Sequence, residues 1–134
     1  MKSLSIIAIN ICFIFMSYAQ QGTLMVSIEK DNTLEGDIYI AVFTEDNFLR
    51  QPVLTSDTKM EDDRATATFE NVDFGTYAIS AYQDVNGNER LDRDEYGRPT
   101  EPWVFSGSSA SMMPIWMDSM IVFNSESQSI KLKL

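Results

Sequence analysis

The sequence predicts an all-β protein, an antiparallel β-sandwich of about seven strands with a long polar loop inserted between two of them. Two observations carry this. Apolar residues recur with a period of two in one segment after another, and the segments are short and bounded by Asp, Asn, Gly or Pro. No heptad, internal repeat or low-complexity tract interrupts them.

In TLMVSIE (23–29), Leu24, Val26 and Ile28 share one face. DIYIAVFT (37–44) turns Ile38, Ile40 and Val42 inward. KDNTLEG between them carries Asp, Asn and Gly, and predicts a hairpin joining the two strands. RATATFENV (64–72) alternates small residues and threonines before Phe69 and Val72. GTYAISAYQD (75–84) sets Tyr77, Ile79 and Ala81 against Ala78, Ser80 and Tyr82. Trp103 and Phe105 alternate with Val104 as in a short strand. SMIVFN (119–124) and QSIKLKL (128–134) close the domain, with Ile130, Leu132 and Leu134 on one face. Two longer stretches remain. Residues 45–63 are broken at Pro52, with room for one helical turn near Phe48. The second, from Asp84 to about Met117, holds Pro99, Pro102, Pro114 and both tryptophans.

MKSLSIIAINICFIFMSYAQQ opens the chain with a basic residue, a mostly apolar run from Leu4 to Met16, and small residues at Ser17 and Ala19. That is the pattern of a secretory signal peptide cleaved after Ala19. It predicts a secreted or periplasmic protein with residues 20–134 as its single domain. The apolar run is short for a membrane span and no second one follows, so no stable span is expected after cleavage. The only cysteine, Cys12, would leave with the signal, and the chain has no histidine. Disulfides, thiol catalysis and the usual zinc ligands are thereby excluded from the mature domain. With 20 acidic residues against 10 basic ones, a net charge of −10 opposes binding to phosphate backbones, and no nucleic-acid partner is expected.

DVNGNERLDRDE (84–95) is the segment with specific chemistry. Counted from Asp84, oxygen-bearing side chains stand at positions 1, 3, 5, 9 and 12, the spacing of a calcium loop. Calcium takes six to eight oxygens, and a tight loop offers alternate side chains to one centre. Asp84, Asn86 and Asn88 fill the first three places, Arg90 offers its backbone carbonyl, and Asp92 falls where ligation often runs through water. Glu95 could close the shell; Glu101 rivals it, and the sequence does not separate them. Leu91 would pin the loop to the core. Position 6, normally glycine, is Glu89, and the incoming residues 77–83 read as a strand, so a helix-flanked EF-hand is not expected. An Asx-rich turn is the alternative, since Asp and Asn bond their own backbone and Asn-Gly favours turns. The carboxylates crowded within twelve residues, Asp84, Asp92, Asp94 and Glu95 among them, favour the cation. Gly97 and Pro99 fix a second turn.

Two resemblances accompany these residues. FENVDFGTYAISAYQD (69–84) resembles the prealbumin-like and carboxypeptidase-regulatory-like sandwiches, which implies that Gly75 supplies a permissive turn backbone and that Tyr77 anchors its strand inward. YAISAYQDVNGNERLDRDEYGRPTEPWVFSGSSA (77–110) closely resembles the bacterial family of domains of unknown function 2141. The match runs through Asp84, Asn86, Asn88, Leu91, Asp92, Gly97, Pro99, Glu101, Phe105 and Ser106, and many members carry glycine where this chain has Glu89. It implies a sandwich in a secreted or periplasmic protein and brings no activity with it.

Together these features predict a non-enzymatic binding or accessory module at the cell envelope, its loop stiffened by structural calcium, with an envelope protein or a glycan as partner. Tyr96, Trp103 and Trp116 are candidates for an aromatic platform that would take a glycan. A hydrolase using Asp92 with Glu101 is a weaker alternative, because a small sandwich leaves little room for a long sugar cleft. Ser106, Ser108 and Ser109 have no base nearby in sequence to activate them.

Overall fold

The computed structural model describes residues 19–107 and 113–134. The expected signal peptide, with Cys12, therefore lies outside the described residues apart from an exposed Ala19, and so do Ser108 and Ser109.

The described residues form eight strands, most of them on period-two alternation: β1 (Gln21–Glu29), β2 (Asp37–Phe43), β3 (Leu54–Thr58), β4 (Arg64–Asp73), β5 (Gly75–Asp84), β6 (Trp103–Phe105), β7 (Met120–Phe123) and β8 (Ser127–Lys133). A three-stranded sheet runs β4-β1-β8. A five-stranded sheet runs β3-β2-β5-β6, with β7 also paired to β5. All pairings are antiparallel except β1 with β8, which is parallel from Thr23↔Ser127 to Glu29↔Lys133.

The core lies between the sheets and is made by the predicted alternation. Leu24, Val26 and Ile28 of β1 meet Ile38, Ile40 and Val42 of β2, all essentially inaccessible, together with Ile79, Val104 and Phe123. Each such aliphatic side chain contributes about 1.5–3 kcal/mol by leaving water. Tyr77 is buried as the sandwich resemblance implies, and its hydroxyl donates to the Asp73 carbonyl at 2.8 Å, tying β5 to the corner that precedes it.

Three expectations need correction. No hairpin joins β1 and β2, which belong to different sheets. The polar residues of 30–36 reverse the chain, but both strands bury alternate residues on one core, which favours facing each other over pairing. The resulting arch is clamped at the Leu34 carbonyl, which accepts Lys30 Nζ at 2.5 Å and Gln83 Nε2 at 2.8 Å. Gly36 belongs there because a Cβ would run into the Asp84 carbonyl. The permissive backbone near the β4–β5 corner is supplied by Asn71 (φ 55), not by Gly75. Leu91, finally, is not part of the core cluster; it lines a cavity on the far side of the five-stranded sheet.

Strand β3 is an addition to the predicted set. LTSDT has no apolar alternation because it is an edge strand whose side chains are at most half-buried. Before it, Glu45–Asn47 form the single helical turn expected near Phe48, and Trp116–Ser119 form a short helix, α1.

The edge of β5 is shared. β6 pairs with Ser80–Tyr82 and β7 with Gly75–Ala78, leaving Ile79 between them. Ser106 closes that gap. Its backbone N–H donates to the Ile79 carbonyl at 2.7 Å, its Oγ accepts the Ile79 N–H at 2.8 Å and donates to the Ser119 carbonyl at 2.5 Å. The serine is fully buried, so its place in the sequence is that of a splice rather than a nucleophile.

Candidate functional site

The sequence places the polar loop at the end of β5, where the strand delivers Asp84 into a buried position at 3% exposure. There the carboxylate organises the turn. Asp84 Oδ1 accepts the N–H groups of Gly87 (2.8 Å) and Asn88 (3.2 Å), and Oδ2 accepts that of Glu89 (2.7 Å). Asn86 Oδ1 accepts the Asn88 N–H at 3.1 Å, and Asn88 Oδ1 accepts the Arg90 N–H at 3.0 Å. Glu89 takes the left-handed conformation (φ 62) at the position where a calcium loop normally has glycine. The chain therefore follows that sharp turn and tolerates strain on the order of 1 kcal/mol.

Asp92 folds back over the two asparagines. Its carboxylate accepts Asn86 Nδ2 at 2.5 Å and Asn88 Nδ2 at 2.9 Å. These bonds, Asn88 first, hold the Asp92 carboxyl below its ordinary pKa. Glu101, 8% exposed, reaches back from beyond the loop: Oε1 accepts the Val85 N–H at 2.8 Å and Oε2 the Asp92 N–H at 3.1 Å. Glu95 is exposed and joins none of these bonds. Its neighbour Asp94 builds the second turn instead, accepting the N–H groups of Tyr96 and Arg98 at 2.9 Å each and pairing with the Arg98 guanidinium at 2.7 Å. Those Arg98 bonds lower the Asp94 pKa.

The structure thus gathers Asp84, Asn86, Asn88, Asp92 and Glu101 around the loop and leaves Glu95 outside. Among the described residues no three acidic side chains form a group that could hold a metal ion. The side-chain oxygens on offer are instead mixed, the carboxylates of Asp84 and Asp92 with the amides of Asn86 and Asn88. A carboxylate has about four lone-pair sites, so Asp84 and Asp92 keep acceptor capacity beyond the bonds described. That donor set fits a hard cation.

Two concavities flank the loop. On the Asp84 side lies an acidic one of about 440 Å³, walled by Glu35, Asp37, Asp84 and Glu89 around Tyr39. Burial, followed by the charges of Glu89 and Asp84, raises the Tyr39 pKa. On the other side a cavity of about 520 Å³ lies against the outer face of the five-stranded sheet. Tyr82, Trp103 and Phe105 rise from that face, and Leu91, Arg93 and Pro99 wall it from the loop. The 45–52 connection and Pro114 complete it. Of its rings, Phe43 and Phe105 stack at 6.5 Å and Trp103 meets Phe105 edge to face at 5.9 Å; behind them Phe48 packs edge to face with Phe105 at 5.8 Å and with Trp116 at 5.6 Å. Burial, then the Asp84 charge, pushes the Tyr82 pKa up to about 12, so its hydroxyl stays protonated at neutral pH.

The three expected platform aromatics are not gathered into one surface. Trp103 lines the cavity, Trp116 backs it through Phe48, and Tyr96 stands 76% exposed under the Arg98 guanidinium, outside the lining. Sequence reasoning missed Phe43, Leu49 and Arg50 of this cavity. Their signal is weak because they border a stretch with no readable period.

No curated protein and no solved structure matches the chain in comparison. Residues 26–131, from the middle of β1 to the middle of β8, match the family described as an uncharacterized protein conserved in bacteria (DUF2141), and the chain belongs to that family.

Proposed function

We propose that this is a secreted or periplasmic, non-enzymatic binding module, whose ligand-facing surface is the outer face of the five-stranded sheet and whose Asp84–Asp92 loop is braced by calcium. One observation supports the reading above others: Leu91, Arg93 and Pro99 of the loop unit wall the same cavity as Trp103 and Phe105. Order in the loop is therefore order in the cavity. Cavities of a few hundred Å³ with apolar walls and few polar groups are the usual form of small-molecule sites.

Calcium would be held by Asp84, Asn86, Asn88, Asp92 and the Arg90 carbonyl. Glu101 serves as a staple on the backbone, and Glu95, exposed outside the loop's bonds, is given no part in the shell. When bound, the ion supplies fixed positive charge against the loop's carboxylates. The chain's own contribution is the preformed turn at Asp84.

The glycan reading has less support, because a stacking platform needs open ring faces side by side and Tyr96, Trp103 and Trp116 do not share one surface. Calcium titration tests the proposal. A rise in melting temperature with a change in tryptophan emission is expected, Trp103 and Trp116 being the only reporters. Absence of both up to millimolar calcium removes the brace.

A further inference from the structure

The charges in the aromatic cavity run against those of the chain. Twice as many acidic as basic residues make up the sequence, yet no Asp or Glu lines this cavity, and its only ionisable side chains besides Tyr82 are Arg50 and Arg93. Arg50 forms no ion pair or side-chain hydrogen bond among the described residues. Arg93 spends one donor on the Gly97 carbonyl at 2.8 Å and keeps the rest. In so acidic a protein, two guanidiniums without carboxylate partners at one apolar concavity are the feature to explain.

We infer that the cavity takes a small anionic amphiphile, an apolar body seated against Phe43, Trp103 and Phe105 with a carboxylate or sulfonate held by Arg50 and Arg93. This rests on the reading of the outer sheet face as the binding surface and adds the chemical class of the ligand. The volume of about 520 Å³ suits a body of one or two rings or a medium alkyl chain. The planar fork of arginine matches a carboxylate or sulfonate edge. The acidic surface around the rest of the protein repels anions elsewhere, so the cavity is where one would settle. The hydroxyls of Ser80 and Tyr82, both in the lining, have no side-chain hydrogen bond among the described residues and add donors beside the guanidiniums.

The test pairs two fluorescent probes of one shape, anionic anilinonaphthalene sulfonate and neutral phenylnaphthylamine, with the full domain in its native state by near-ultraviolet circular dichroism. The sulfonate is expected to bind, to be displaced by decanoate and not by decylamine, and to weaken about tenfold or more in Arg50→Gln and in Arg93→Gln. The neutral probe is expected to be insensitive to both substitutions, while Trp103→Ala weakens both probes. Equal effects of the arginine substitutions on the two probes, or displacement by decylamine as readily as by decanoate, overturn the anionic ligand and leave the binding surface standing. No binding of either probe, or binding indifferent to Trp103→Ala, overturns the binding surface as well.

Discussion

The carboxylate of Glu101 accepts the backbone N–H of Asp92 at 3.1 Å and, with its other oxygen, that of Val85 at 2.8 Å. It thus fastens both legs of the polar loop. The side chain is nearly buried, and the geometry explains why a glutamate outside the calcium-type spacing belongs to the same unit. Glu101→Gln is expected to cost about 1–3 kcal/mol of stability without calcium, because an amide can accept at only one of its two ends. Glu95→Gln should stay within about 0.5 kcal/mol under the same conditions. Denaturant unfolding of the two variants checks the contrast, and equal effects would contradict the assignment.

Asp84 accepts three N–H groups, two of them alone and that of Asn88 together with Asn86. Asp84→Ala should therefore destabilise the protein even in chelator, by roughly 2–4 kcal/mol, and should abolish any response to calcium. Asn86→Ala, which loses one acceptor for the Asn88 N–H and one donor to Asp92 but leaves the Asp84 bonds in place, is the cleaner probe. Wild type at a hundredfold excess of calcium over its Kd should gain roughly 10 °C in Tm, and the Asn86 variant markedly less. Parallel melts in calcium and in chelator measure both.

Ser106→Ala removes the partner of the Ile79 N–H and of the Ser119 carbonyl in a fully buried place. A loss of about 1–3 kcal/mol is expected, with β7 amides near Met120 exchanging faster than those of β1. Gly107→Ala should be worse tolerated than its exposure suggests, since φ is +80 and a Cβ would meet the Asp118 carbonyl.

Asp92 and Asp94 both have pKa values below the ordinary carboxylate value. A depressed folded pKa adds stability above the unfolded value, about 3.9, and that stability is lost as pH falls through the folded value. Side-chain amide resonances of Asn86 and Asn88 should thus be constant from about pH 5 to 8 and shift only below about pH 4. Movement near neutrality would mean that another group controls the loop.

At the other end of the scale, Tyr82 titrates near 12 in the folded state. A raised pKa for an acid means that the unfolded chain gives up its proton first, so stability is lost as pH rises from about 10 towards 12. Tyr82→Phe should flatten that alkaline loss, as followed by circular dichroism.

Most of the sandwich was legible because its signal is local. Alternation in residues 23–29, 37–44 and 75–84 directly marks which side chains face the core. What failed was non-local. The polar residues 30–36 announce a reversal but do not choose between pairing and arching, which depends on the other sheet. β3 carries no apolar period, being an edge. In the candidate site, spacing singled out Asp84, Asn86, Asn88 and Asp92, because ligation by a tight loop is itself a local pattern. It could not separate Glu95 from Glu101, since which glutamate turns back is set by the Arg93↔Pro99 bridge and the turn at Gly97. The cavity was invisible, for its walls come from six separate segments.

The parallel partnership of β1 with β8 has a consequence for biogenesis. β1 is the middle strand of its sheet, yet one of its two edges is matched only by residues from Ser127 onward. A chain that emerges N-terminus first from a ribosome carries β1 with an open edge until residues 127–133 have followed. Pairing across such a sequence distance is slow, and an open strand edge is a template for other chains. That edge must stay covered while the chain folds, and a chain truncated before Ser127 should aggregate rather than merely lose stability.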